Sequence, residues 1–153
     1  MKTKLSFLLL TTFFVFKLLG QQITKIEGVY VDEIGKNYSG MYISYYQDGK
    51  KAAVYTVKNG KENGTVEFYY PTEEIMEQGF FKDGEKDRKW VRWSINGNKL
   101  AEANYNKGKK DGKWLIWDER GVKRYEMFYS NGLKTGVWIM WDEKGQISNK
   151  KEY

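Results

Sequence analysis

The sequence contains no cysteine and no histidine, and its only proline is Pro71. The first two absences remove disulfides, thiol nucleophiles, Ser-His-Asp triads and the common zinc sites. A chain without cysteine must be held by packing alone, even in an oxidising compartment. Any metal would need carboxylate and carbonyl ligands, and no EF-hand spacing is present, so no metal and no cofactor are expected. One proline excludes a proline-rich linker. Beyond the first twenty residues there is no long apolar run. The net charge of +6 is a weak case for nucleic acid. Lys2, Lys4 and Lys17 lie in the leader described below, and without them the 26 basic residues barely outnumber the 20 acidic ones. No basic stripe stands out, and no nucleic-acid partner is expected.

What the sequence does have is aromatic residues, 17% of 153, with six Trp and twelve Tyr. Disordered chains are poor in aromatics. The N-terminus reads as a leader. Lys2 and Lys4 precede an apolar run over 5–16, and Leu18-Leu19-Gly20 offers a small residue before Gln21. This pattern predicts a signal peptide over 1–20, cleaved before Gln21, and a secreted or periplasmic product. The run is short of the roughly 20 residues a membrane span needs. No cysteine follows Gly20, which excludes lipoprotein anchoring.

The remainder is repetitive. Gly40, Gly64, Gly112 and Gly136 fall on a lattice of 24 residues, broken only by Arg88. Two positions on come Tyr42, Val66, Trp90, Trp114 and Trp138. Five positions on come Tyr45, Tyr69, Trp93, Trp117 and Trp141. Nine positions on come Gly49, Gly97, Gly121 and Gly145, with Glu73 the exception. Seventeen positions on come Val57, Phe81, Tyr105, Tyr129 and Tyr153. Several columns in one register define a tandem repeat of about five units. The three units over 88–153 are regular, and the two over 40–87 are degenerate.

Each unit reads as a hairpin. Lys113 to Trp117 is a first strand, and Asp118-Glu119-Arg120-Gly121 a turn. Tyr125, Met127 and Tyr129 alternate with Arg124, Glu126 and Phe128, the period of a half-buried strand. Ser130-Asn131-Gly132 then turns the chain into the next unit. The expected fold is all-β: an elongated antiparallel sheet of tandem hairpins over 40–153 with nearest-neighbour contacts. Residues 21–39 read as an N-terminal cap, and the half-repeat ending at Tyr153 as the opposite cap. Arg88 on the glycine lattice implies that this position does not need positive φ. Residues 71–74 imply an altered loop in the second unit.

The stretch Tyr105-Asn-Lys-Gly108-Lys-Lys-Asp-Gly112-Lys-Trp114, repeated from Tyr129 to Trp138, resembles the MORN-repeat family in its bacterial variant form. Weaker copies run from Phe81 to Trp90 and from Val57 to Val66. The resemblance implies tandem hairpins that serve as scaffolds for protein or membrane-lipid contact. It also implies a kinship with repeat proteins labelled antitoxin-like, which an export signal fits poorly.

Asp118-Glu119, Asp142-Glu143 and Glu73-Glu74 are paired carboxylates of the kind a glycosidase uses. They recur in the hairpin turns, where acidic residues are solvated, so no catalytic residue and no enzyme is expected. Lys and Asn around Gly60, Gly84, Gly108 and Gly132 could cradle phosphate or anionic lipid, but they also suit turns. The candidate binding residues are the ladder Tyr45, Tyr69, Trp93, Trp117 and Trp141. Either it packs as core, or it is an exposed platform for a protein or a glycan. Variation at Ser44, Phe68, Arg92, Ile116 and Met140 is expected to tune that platform. The expected function is an exported, non-enzymatic scaffold for protein or envelope contacts. A glycan-binding module and an antitoxin-like partner of a toxin are the alternatives.

Overall fold

A computed structural model describes residues 22–153, so the leader expected over 1–20 lies outside the described residues. Thr24–Ile26 (β1) and Val29–Val31 (β2) form a two-stranded sheet. The main sheet holds Gly40–Tyr45 (β3), Lys51–Lys58 (β4), Lys61–Tyr69 (β5), Ile75–Lys82 (β6), Glu85–Trp93 (β7) and Lys99–Asn106 (β8). It continues through Lys109–Lys110 (β9), Gly112–Trp117 (β10), Lys123–Ser130 (β11), Leu133–Trp141 (β12) and Ile147–Glu152 (β13). Every described pairing is antiparallel, and the strands follow chain order from β3 to β13, with β9 paired to β8. The repeat meander expected from the lattice is therefore the fold.

Two turn types alternate along it. Within a unit, Tyr46 donates its N–H to Lys50 O, and Gly49 donates to Tyr46 O. The second unit makes the same two bonds, Tyr70 N–H to Glu74 O and Glu73 N–H to Tyr70 O. The altered loop expected over 71–74 is thus corrected. Glu73 adopts φ 76°, close to Gly49 at 83°. Pro71 supplies the fixed φ suited to the first central position of such a turn. Between units the turns are two left-handed residues, such as Asn59-Gly60 and Asn131-Gly132, the geometry that matches strand twist. Glu27-Gly28 repeats it between β1 and β2, so the cap is itself a hairpin of the same kind.

The glycine lattice marks a bulge. The pairing of β11 with β12 shifts between Glu126↔Ile139 and Phe128↔Thr135, and equivalent shifts occur at Tyr55/Val57 and Gln78/Phe80. The lattice residues inside these bulges have positive φ: Gly64 137°, Gly136 62° and Arg88 61°. The expectation that Arg88 relaxes this requirement is overturned. The bulge imposes the left-handed backbone, and Arg88 accepts it. The bulge also frees a carbonyl, and the tryptophan two positions later takes it. Trp90, Trp114 and Trp138 donate their indole N–H groups to Phe80 O (3.2 Å), Asn104 O (2.9 Å) and Phe128 O (3.1 Å). The Gly-x-Trp spacing is therefore one device, a bulge and its cap.

A single sheet has little interior, and the core is a spine of rings on one face. Tyr30, Tyr42, Tyr55, Phe68, Trp90, Tyr105, Trp114, Tyr129, Trp138 and Tyr153 form an unbroken series with centroids 4.7–6.4 Å apart. Mixed tilted and edge contacts suit the ring quadrupoles. Tyr30 brings the cap onto this spine, and its N–H donates to Gly60 O.

Candidate functional site

The pairing register sorts side chains onto two faces with different chemistry. The spine face carries a row of lysines at the same 24-residue period. Lys86, Lys110 and Lys134 stand opposite Phe81, Tyr105 and Tyr129 in the pairing. Each then reaches over the next tryptophan. Lys86 Nζ lies 3.6 Å from the Trp90 ring centre and 5.4 Å from that of Tyr105. Lys110 lies 4.3 Å from Trp114 and 4.8 Å from Tyr129, and Lys134 4.5 Å from Trp138 and 4.7 Å from Tyr153. Each ammonium is thus shared between two rings, and contact with the quadrupole offsets part of its desolvation.

Carboxylates are scarce on this face. Lys86 meets Glu77 at 3.3 Å, whereas no ion pair among the described residues involves Lys110 or Lys134. Arg92 and Lys151 add further cations, the latter 4.8 Å from the Tyr153 ring. One unit earlier the row ends in the opposite charge. Glu62 accepts from Lys25 Nζ at 2.6 Å and from Tyr30 Oη at 3.0 Å. Burial alone would raise the Glu62 pKa. Hydrogen bonds from Lys25, the backbone and Tyr30 outweigh it and hold the carboxyl below its ordinary value. Burial and the adjacent Glu62 push the Tyr30 hydroxyl up. This cluster latches the cap.

The ladder singled out in the sequence lies on the opposite face and is not one uniform surface. Tyr45 is 62% exposed, Tyr69 only 7%, and Trp93, Trp117 and Trp141 are half-buried. Lysines cover three of the rings: Lys51 on Tyr69 (3.9 Å), Lys99 on Trp117 (5.7 Å) and Lys123 on Trp141 (5.1 Å). Here the lysines of the later units share glutamates, two to each carboxylate. Lys99 and Lys89 lie 2.6 and 3.9 Å from Glu102, and Lys113 and Lys123 2.9 and 3.2 Å from Glu126. Hydrogen bonds from Lys99 and Lys113 lead in holding the two carboxyls below their ordinary range. The residues expected to tune the ladder, Ser44 to Met140, do not share its face. Phe68 packs into the spine, because fourth and fifth positions point to opposite sides.

The turn carboxylates have local duties. Asp118 Oδ1 accepts from Arg120 N and Val122 N at 3.0 Å, and Asp142 Oδ1 accepts from Lys144 N and Gln146 N. The Lys and Asn residues around the inter-unit glycines line the exposed rim. Sequence reasoning missed the lysine row, although its signal was present: Lys86, Lys110 and Lys134 each stand two residues before a lattice position.

A family model described as the MORN repeat variant matches residues 62–83 and 110–131. Each match starts at a spine-row position, Glu62 or Lys110, and runs through the bulge and one complete hairpin. No curated protein matches the chain. Among solved structures, the GtfA/B complex bound to UDP and GlcNAc aligns over 88% of this chain at 12% identity, with a TM-score of 0.29. The chain spans 24% of that structure's chain. The repeat period, the Gly-x-Trp bulge and the two family matches agree: the chain carries repeats of the MORN variant type over 62–83 and 110–131, and repeats of that family are non-enzymatic modules for protein or membrane contact.

Proposed function

We propose that this chain is an exported, non-enzymatic scaffold of the cell envelope that binds an acidic partner along its spine face. One observation carries the reading. Lys110 and Lys134 are held over aromatic pairs without a carboxylate partner, while on the other face Lys89 and Lys99 share Glu102, and Lys113 and Lys123 share Glu126. Periodic, unneutralised charge on one face of a regular sheet is a surface complementary to periodic negative charge. The ladder becomes a secondary surface, whose lysines are partly compensated by Glu102 and Glu126. Export rests on the leader pattern over 1–20.

Two measurements test the proposal. Edman sequencing of the protein from periplasmic and external fractions should give a mature N-terminus at Gln21. An intact Met1 in the cytoplasm would refute export. Recovery of envelope material on immobilised protein should fall at least tenfold for Lys110→Gln/Lys134→Gln and stay unchanged for Lys113→Gln/Lys123→Gln. Equal recovery on both folded variants would refute the spine face as the interface.

A further inference from the structure

Resting on that reading, we infer that the partner of the spine face is a linear polysaccharide carrying one carboxylate per disaccharide. The first argument is period. The 24-residue unit contains two strands, and neighbouring strands lie about 4.8 Å apart, so the lysine row advances by about 9.6 Å per unit. That is the length of one extended disaccharide. A polyanion with a carboxylate on every ring would place half of its charges between the lysines. One carboxylate per disaccharide matches Lys110 and Lys134, with Lys86, which keeps Glu77 at 3.3 Å, as a weaker third position.

The second argument is shape. Lys86 lies on β7 and Lys134 on β12, four strand steps apart along the sheet. Adjacent strands rotate by roughly 20–25°, so the row turns by about 80–100° between its ends. A flat lipid surface meets only part of such a row. A linear chain can wind with it. The third argument is the chemistry between the charges. Trp114 and Trp138 are half-buried and Tyr153 is exposed. Tyr125 and Met140 are exposed beside them on adjacent strands. These edges offer the apolar contact that sugar C–H faces need. The row also has a defined end. Glu62 occupies the position one unit before Lys86 and would repel a fourth carboxylate.

The test is titration calorimetry with a hexasaccharide of alternating glucuronic acid and N-acetylglucosamine, which carries three carboxylates. Wild type should bind the hexasaccharide at least tenfold more tightly than the disaccharide. The neutral N-acetylglucosamine hexamer should not bind. Lys110→Gln/Lys134→Gln should lose at least tenfold in affinity, with near-ultraviolet dichroism confirming its fold, and Lys113→Gln/Lys123→Gln should match wild type. Poly-glutamate and phosphatidylglycerol vesicles run in parallel. Lysine-dependent binding of either, without the hexasaccharide, would overturn the polysaccharide while leaving the cationic face intact. Should no probe bind through Lys110 and Lys134, both readings fail together.

Discussion

Gly79 is the most constrained position in the spine, and Gly79→Ala probes it with one methyl group. A Cβ at Gly79 would lie 2.2 Å from Cδ2 and 2.3 Å from Cε2 of Trp90. Carbon contacts settle near 3.5–4.0 Å, so the ring would have to move by more than about 1 Å. It has nowhere to go. Trp90 is 2% exposed, with Phe81 at 5.1 Å on one side and Lys86 at 3.6 Å over its face, and its N–H is bound to Phe80 O. Overpacking costs about 1–3 kcal/mol. Replacing a strand glycine by alanine returns about 0.5–1 kcal/mol of backbone entropy. The net expectation is destabilisation by about 1–2 kcal/mol, read by urea unfolding followed through tryptophan fluorescence. Trp90→Leu alone should cost about 3 kcal/mol. In that background Gly79→Ala should be neutral or stabilising, because the obstructing ring is gone. Gly79→Ala as stable as wild type in the Trp90 protein would refute this packing, and so would additive penalties in the double variant.

Other consequences follow from the bulge and the cap. At residue 88 both Gly and Ala lose the Arg88 contact to Phe80, but only Gly relaxes the positive φ. Arg88→Gly should therefore be more stable than Arg88→Ala by about 1 kcal/mol in chemical denaturation. Trp138→Phe keeps a ring in the spine but leaves Phe128 O without its indole donor, at a cost of about 1–2 kcal/mol in the same assay. Glu62 has a lowered folded pKa, so its contribution is present above the unfolded value and is lost as pH falls through the folded one. Protection factors in β1 and β2, taken against the unstructured exchange rate at each pH, should fall on acidification, and Glu62→Gln should show low protection at neutral pH with little further dependence.

Period and pattern carried most of the fold. Two-residue alternation in 125–129 and the recurring turn glycines define hairpins whatever the tertiary context, since both follow from backbone geometry. Arg88 and Glu73 misled because residue identity at a lattice position reports preference, whereas the bulge and the turn impose conformation on whatever residue stands there. The place of the ladder was hidden for another reason. Aromatic columns of equal regularity occur on both faces, and only the register shows that one forms the spine while the other lies under lysines that share glutamates. The lysine row was readable as a period but not as a site, because its meaning depends on which lysines lack a carboxylate on their own face: Lys110 and Lys134 do, whereas Lys86 meets Glu77.

The most direct test of the cationic spine face is lysine footprinting. The folded protein is acetylated with and without envelope material, and modification at each lysine is quantified by mass spectrometry. Lys110 and Lys134 should be protected together, with Lys99, Lys113 and Lys123 unchanged. Protection of Lys99, Lys113 and Lys123 with the spine row still reactive would contradict it.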